Sequence, residues 1–152
     1  MKKVNKIFFY ILSFTWGIVV SLIGSIFAII FLIKGIKPLR FGYDIVFHIQ
    51  MNDRWGLSLG PFIFISSDNV DIKVLMHEHG HSIQNCFYGP LMPFIVMIPS
   101  IIRFWYIEIF YYRKKKKYGK AYDSIWFEKQ ATNLGTNFYH NLLNNQKGKE
   151  IW

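Results

Sequence analysis

Cysteine is almost absent from the sequence, which limits how the chain can be held together. Cys86 is the only cysteine among 152 residues, so an intramolecular disulfide is excluded and the thiol gives little information on the cellular compartment. Its position, one turn after a histidine-rich segment on a face expected to be buried, favours a packing role over a nucleophilic one. No internal repeat is visible, and the length leaves room for one domain.

Acidic residues are also few compared with basic ones. Nine Asp and Glu stand against 18 Lys and Arg, which gives a formal net charge of +9. A basic protein favours nucleic acid or anionic lipid as a partner, and a hydrophobic content of 52% favours lipid here. No recognisable nucleic-acid-binding motif is present, so we expect no nucleic-acid partner. The basic run Arg113 to Lys117 is predicted to contact anionic lipid headgroups, while the oligomeric state stays open.

Charge is missing altogether from Ile7 to Ile33, a stretch of 27 residues. As one helix this stretch would reach roughly 40 Å, enough to cross a bilayer, and no small-residue cleavage site follows it. We therefore predict an N-terminal transmembrane helix within a membrane anchor at residues 1–37. The lysines and arginine on its two sides are equal in number, so orientation depends on Arg113 to Lys117. A bacterial inner-membrane location is expected, with the soluble part facing the cytoplasm.

The residues after the anchor predict an α+β fold class. Alternating apolar and polar residues from Tyr43, followed by the apolar run Phe62 to Ile65, favour a small β-hairpin or antiparallel sheet between residues 43 and 66. Polar residues with helix-capping side chains come next. Apolar residues at helical intervals then predict a helix from about Asp71 to Phe87, which Gly89 and Pro90 end.

This predicted helix carries the segment His-Glu-His-Gly-His at residues 77–81. His77 and His81 are four residues apart and lie on one helical face, where both imidazoles can reach one ion. Glu78 lies beside them, positioned to take a proton from a zinc-bound water that attacks a carbonyl. His79 points to another face and is expected to make a supporting hydrogen bond or to face solvent. The spacing therefore predicts a zinc site with Glu78 as its catalytic base.

A third protein ligand must come from a distant part of the chain, because a catalytic zinc site usually has three. Asp123, Glu128 and His140 are the downstream candidates, and Glu128 lies in a segment that predicts a second helix. The lone His140 near a polar C-terminus is the weakest of them.

The histidine-rich segment resembles the active-site helix of zincin metallopeptidases, and the arrangement is similar to the glutamate-liganded branch, the gluzincins. This resemblance implies Zn²⁺ as the cofactor and Glu128 as the third ligand. Together with Gly89-Pro90-Leu91 and the letters SIWFEKQA at 124–131, the segment also looks like a group of small, uncharacterised bacterial membrane proteins. Gluzincins often carry an aspartate four residues after the glutamate, and here that position is Thr132. This departure leaves open which group supports the histidines, and Asp123 is one alternative.

The remaining segments complete a predicted division of the chain. Residues 38–145 form a zincin-like metal-binding domain, and residues 146–152 form a frayed tail. Residues 90–112 are apolar but interrupted by prolines, which favours a segment that dips into the membrane and returns. A full crossing there would put His81 and Glu128 on opposite sides of the bilayer.

The predicted function is a membrane-anchored zinc metallopeptidase that hydrolyses a peptide or protein substrate. Two alternatives stay open: a zinc hydrolase of a non-peptide amide or ester, and a non-catalytic membrane interaction protein with a structural metal or none. The resemblance also implies that an extended substrate adds as a strand along Phe62 to Ile65.

Overall fold

The computed structural model describes residues 5–50, 55–67, 69–111 and 125–147. These residues form five α-helices and four β-strands, which confirms the α+β class. The elements in chain order are α1 (Lys6–Phe14), α2 (Ile18–Ile33), β1 (Leu39–Phe41), β2 (Asp44–Ile49), β3 (Trp55–Leu59), β4 (Phe62–Ser66), α3 (Ile72–Tyr88), α4 (Ile98–Tyr111) and α5 (Trp126–Lys147). A 3₁₀ turn, Gly89–Leu91, and a π-helical turn, Pro93–Met97, connect α3 to α4.

The predicted N-terminal transmembrane helix is wrong. No single helix among the described residues is long and apolar enough to cross a membrane, although α1 with α2, and Ile72–Leu91 with Pro93–Arg103, pass that test as bent pairs. The chain bends by 96° between α1 and α2. Gly17 favours a break, and its carbonyl accepts from the Asn85 side-chain amide at 3.3 Å as well as from the Ser21 backbone amide at 3.2 Å.

The four strands form one sheet in the order β1-β2-β4-β3. The predicted hairpin is confirmed for β3 and β4, which are antiparallel and joined at Gly60, where φ is +63°. The prediction of a wholly antiparallel sheet is wrong, because β2 and β4 are parallel. β4 consequently has a neighbour on both sides, and all five of its residues are buried.

The core lies where α2 packs on the sheet. Small residues on α2 allow close approach: a side chain at Gly24 would collide with Leu59 and Phe62. Buried aromatic rings complete this layer, and the rings of Phe47 and Phe64 stack with centroids 5.4 Å apart. This core holds one face of the sheet and thereby fixes the edge strand β3 beside the motif helix.

Helix α3 begins after Asp71, whose side chain caps it by accepting from the Lys73 amide at 2.8 Å. Its bounds agree with the predicted helix to within one residue at each end. α3 packs closely against α5 because glycines lie at the crossing: a side chain at Gly80 would collide with the Ala131 backbone, and one at Gly135 with the Met76 backbone. This close packing brings the first turn of α5 against the histidine-bearing turn of α3.

The segment predicted to dip into a membrane, residues 90–112, begins as the connecting turns and continues as α4. The helical axis bends by 114° between Ile72–Leu91 and Pro93–Arg103. The dip itself stays a prediction. The run Arg113 to Lys117, the alternative ligand Asp123 and residues 148–152 of the predicted tail lie outside the described residues, whereas α5 continues through Lys147.

Candidate metal centre

Three side chains from α3 and α5 meet in a geometry that can hold a metal ion. The Nε2 atoms of His77 and His81 are 3.2 Å apart, and they lie 3.1 and 3.2 Å from Glu128 Oε2. An ion bound at ~2.0–2.1 Å with tetrahedral geometry separates its ligand atoms by roughly 3.3 Å, which these distances match closely. The two histidines are partly exposed, and the glutamate is buried.

His77 is oriented by Thr132, which lies four residues after Glu128 on α5. Its Oγ1 lies 2.9 Å from His77 Nδ1 and donates to the Glu128 carbonyl at 3.1 Å. Because the hydroxyl proton is used on that carbonyl, its oxygen accepts the Nδ1 proton of His77. The Nε2 lone pair of the ring is therefore left facing the metal position.

Gln84 orients His81 in the same way. Its Oε1 lies 2.8 Å from His81 Nδ1, while its Nε2 donates to the Phe127 carbonyl at 2.7 Å. These bonds assign the Oε1 to the acceptor role and the Nδ1 proton to His81, so the neutral ring also directs its Nε2 lone pair at the metal position. Gln84 was missed in the sequence, although its position three residues after His81 on one helix is a usable signal.

Glu128 is held by a third helix. The Ser100 hydroxyl of α4 donates to its Oε1 at 2.5 Å, which leaves Oε2 as the atom that faces both histidines. Burial raises the pKa of Glu128, but hydrogen bonds from His77, His81 and Ser100 outweigh burial and hold the pKa well below its ordinary value. The two histidine bonds belong to the metal-free protein, since each requires a proton on the Nε2 atom that would otherwise face the metal. The carboxyl is thus ionised, as a metal ligand must be. No sequence signal identifies Ser100, since it lies in a different, proline-interrupted segment.

Glu78 is buried and lines the same cleft as the three metal-facing residues. Its carboxylate lies close to the backbone of Gly56 on β3, where a side chain would collide with Oε1. Burial is the largest influence on Glu78 and raises the pKa of its carboxyl, although the two nearby imidazoles oppose the rise. A carboxyl with a raised pKa, next to a metal position, is suited to exchange a proton with water.

His79 and His140 lie away from this cluster. His79 is fully buried, with Nδ1 2.5 Å from Asp44 Oδ2 and its ring 4.1 Å from that of Phe138. It therefore does not face solvent, and its hydrogen bond goes to the start of β2. Asp44 was missed, because an acidic residue opening a strand carries no signal of a buried partner 35 residues later. His140 is exposed, twelve residues along α5 from Glu128.

The cleft beside the cluster has a cavity volume of about 90 Å³ and is open to solvent. Apart from the residues of the metal centre, the described residues that line it are uncharged; they are Gly56, Leu57, Ser58, Met92, Val96, Met97, Ser100 and Ile101. One wall is thus β3, and another is the π-helical turn with the start of α4. The prediction that a substrate strand adds along Phe62 to Ile65 is wrong. These residues belong to β4, which already pairs with β2 on one side and with β3 on the other and cannot pair with a further strand.

Comparisons with known proteins identify no relative of this chain: no family model, no curated protein and no solved structure matches it.

Proposed function

We propose that this protein is a zinc-dependent peptidase in which His77, His81 and Glu128 bind the ion and Glu78 is the catalytic base. The observation that carries the proposal is the convergence of His77 Nε2, His81 Nε2 and Glu128 Oε2 to within 3.2 Å, with the Glu78 carboxyl buried in the same cleft. This arrangement joins a metal position to a proton acceptor.

The donor set supports zinc. Two imidazole nitrogens and one carboxylate oxygen are the ligands of many catalytic zinc sites, which keep a fourth position for water or substrate. Calcium and magnesium prefer sites made of oxygen ligands only, which this cluster does not supply. When bound, zinc would lower the pKa of a coordinated water toward ~7 and polarise a carbonyl oxygen.

The protein's own residues would transfer the proton and contact the substrate. Glu78 accepts the proton of the attacking water and passes it to the amine that leaves when the peptide bond breaks. Met92, Val96 and Met97 add an apolar part to the lining of the same cleft, where they would contact apolar parts of the substrate.

Strand β3 is the proposed docking edge for the substrate. In the described part of the sheet it pairs with β4 on one side only, and Gly56, Leu57 and Ser58 border the cleft. An extended peptide that adds as a strand along this edge would pass its backbone beside Glu78. The side chains of such a peptide would meet uncharged residues, so the substrate class favoured is a peptide with apolar residues around the cleaved bond.

The test measures bound metal and cleavage together on the purified full-length protein. Plasma mass spectrometry should find one zinc per chain, lost in His81→Ala and in Glu128→Ala. Glu78→Gln should keep the zinc and abolish cleavage of a mixed library of apolar peptides. Retention of zinc in Glu128→Ala would reopen Asp123 as the third ligand.

Two outcomes contradict the proposal. A wild-type protein that takes up no zinc when it is supplied leaves the non-catalytic interaction protein as the better account. Zinc with full activity in Glu78→Gln would contradict the assigned base. A third outcome would change only the substrate class. If the wild type, but none of the site variants, cleaved amides or esters other than peptides, the protein would be a hydrolase of that class with the same metal site.

A further inference from the structure

Helix α2 exposes its large apolar side chains and buries its small ones, which is the reverse of the pattern expected for a helix on a protein surface in water. Its ten exposed residues are all large and apolar, drawn from Ile, Val, Leu and Phe, whereas small residues such as Ser21, Gly24 and Ala28 face the protein. Ile26 is 59% exposed, and Ile33 is 80% exposed. A surface helix in water normally directs its polar face outward, and a helix that is apolar all round is normally covered.

The hydroxyl groups of α1, of α2 and of Thr15 between them have partners within the protein. Ser21 donates to the Ser13 carbonyl at 2.7 Å, Ser25 to the Ser21 carbonyl at 2.8 Å, and Thr15 to the Ile11 carbonyl at 2.7 Å. Internal satisfaction of polar groups is what a low-polarity solvent demands. The exposed positions of α2 thus present no hydrogen-bonding side chain to their surroundings.

Positive charge borders the apolar surface at both of its ends. Lys6 begins α1, and Lys34 and Lys37 follow α2; all three side chains are exposed. Basic residues beside an apolar surface match a membrane with anionic headgroups. A protein partner fits less well, because stable protein interfaces usually contain a hydrogen bond for every ~100–200 Å² and the outer face of α2 has no side chain to supply one.

We propose that the exposed faces of α1 and α2 form a lipid-contacting surface that binds the acyl region of a membrane containing anionic phospholipid. The two helices meet at 96°, so contact is made by their outer faces against the protein body and not by one straight crossing helix. The acyl chains replace water around the ten apolar side chains of α2, while Lys6, Lys34 and Lys37 lie at headgroup level.

Flotation with vesicles of phosphatidylethanolamine and phosphatidylglycerol tests this surface. The wild-type protein, freed of detergent, should float with the vesicles in both low and high salt. The double variant Ile26→Glu with Ile30→Glu should lower the partition coefficient more than about a hundredfold, because two buried aliphatic side chains are lost. Ile72→Glu is the matched control: it is 48% exposed at the start of α3, outside the surface, and should float as the wild type does.

A fluorescent label gives the depth of contact. Cys86 is buried, so Ile30→Cys offers the accessible thiol for an environment-sensitive dye. Bromine atoms on the lipid acyl chains should quench a dye at residue 30 and leave one at Ile72→Cys unquenched. Circular dichroism in detergent shows whether each variant keeps its fold.

Three results would overturn the proposal. One is a wild type that does not float but forms a dimer that the double variant loses, since the surface would then be an interface between copies. Another is a protein that neither floats nor associates. Flotation that high salt abolishes would assign binding to the charges alone. Zinc content and cleavage are independent of all these results.

Discussion

Replacing Thr132 with valine removes the hydroxyl that accepts the Nδ1 proton of His77, while the shape and branching of the side chain are kept. The lost contact is the 2.9 Å bond between Thr132 Oγ1 and His77 Nδ1. Outer partners of this kind typically contribute 10–100-fold to metal affinity, which corresponds to ~1.4–2.7 kcal/mol. We expect the Kd for zinc to rise by that factor in Thr132→Val.

Thr132→Ser is the matched control, because it retains the hydroxyl and should retain the affinity to within about threefold. Zinc is titrated against a competing fluorescent chelator, and the visible spectrum of the cobalt-substituted protein reports the ligand geometry. Thr132 is exposed, so the free energy of unfolding of the metal-free protein should change by less than ~0.5 kcal/mol in both variants. If Thr132 had only a structural role, Thr132→Ser and Thr132→Val should lower the free energy of unfolding equally, and neither should change the cobalt spectrum.

Two results would refute this account of Thr132. Equal zinc affinity in wild type and Thr132→Val would show that the hydroxyl does not hold His77. An equal loss of zinc affinity in Thr132→Ser and Thr132→Val would show that the packing of the side chain matters and the hydroxyl does not, because serine keeps the hydroxyl but lacks the methyl group. Thr132→Asp supplies the acceptor found in many gluzincins, and it should bind zinc at least as tightly as the wild type.

Two further predictions concern the same centre, and one concerns the packing of α5 against α3. Gly56→Ala should lower kcat at least tenfold while zinc stays bound, because the added methyl displaces the Glu78 carboxylate; unchanged kcat would contradict the close contact. Gly135→Ala should lower the free energy of unfolding by about 1–3 kcal/mol through collision with the Met76 backbone, as a denaturant titration would show. Burial lowers the pKa of His81, but Glu128 and Glu78 outweigh burial and raise it. Because protonated His81 cannot bind zinc, the zinc affinity should begin to fall while the pH is still above ~6.5, the ordinary pKa of histidine, as the pH is lowered. A fall confined to lower pH would contradict the raised pKa.

The motif helix and the centre it carries were the parts most readily predicted from the sequence. Local signals are enough for α3, since Asp71 caps it and Gly89 ends it. The two histidines were predicted to meet because helical spacing fixes their separation. The choice of Glu128 came from a resemblance, and the structure brings its Oε2 to both imidazoles.

The errors arose where distant residues decide local structure. Counting uncharged residues from Ile7 to Ile33 cannot reveal the bend at Gly17, where a side chain would collide with Asn85, 68 residues later. The parallel pairing of β2 with β4 depends likewise on a chain crossing that the alternation of apolar residues does not encode. Ser100 and Asp44 are identified only by their partners, so pattern alone could not select them.

The side chains that hydrogen-bond to the three metal-facing residues are neutral, and this determines the net charge of the centre. Thr132, Gln84 and Ser100 contribute no charge, so Glu128 alone among the three metal-facing residues would offset a bound divalent ion, which would leave a net charge of +1. Burial raises the pKa of the nearby Glu78, and a cation beside it favours the ionised form. Metal binding and ionisation of Glu78 therefore stabilise each other, and together they bring the centre to neutrality in a cleft whose other walls are uncharged. For the proposed peptidase activity, a neutral centre beside these uncharged described residues would suit the backbone of a peptide better than a charged side chain.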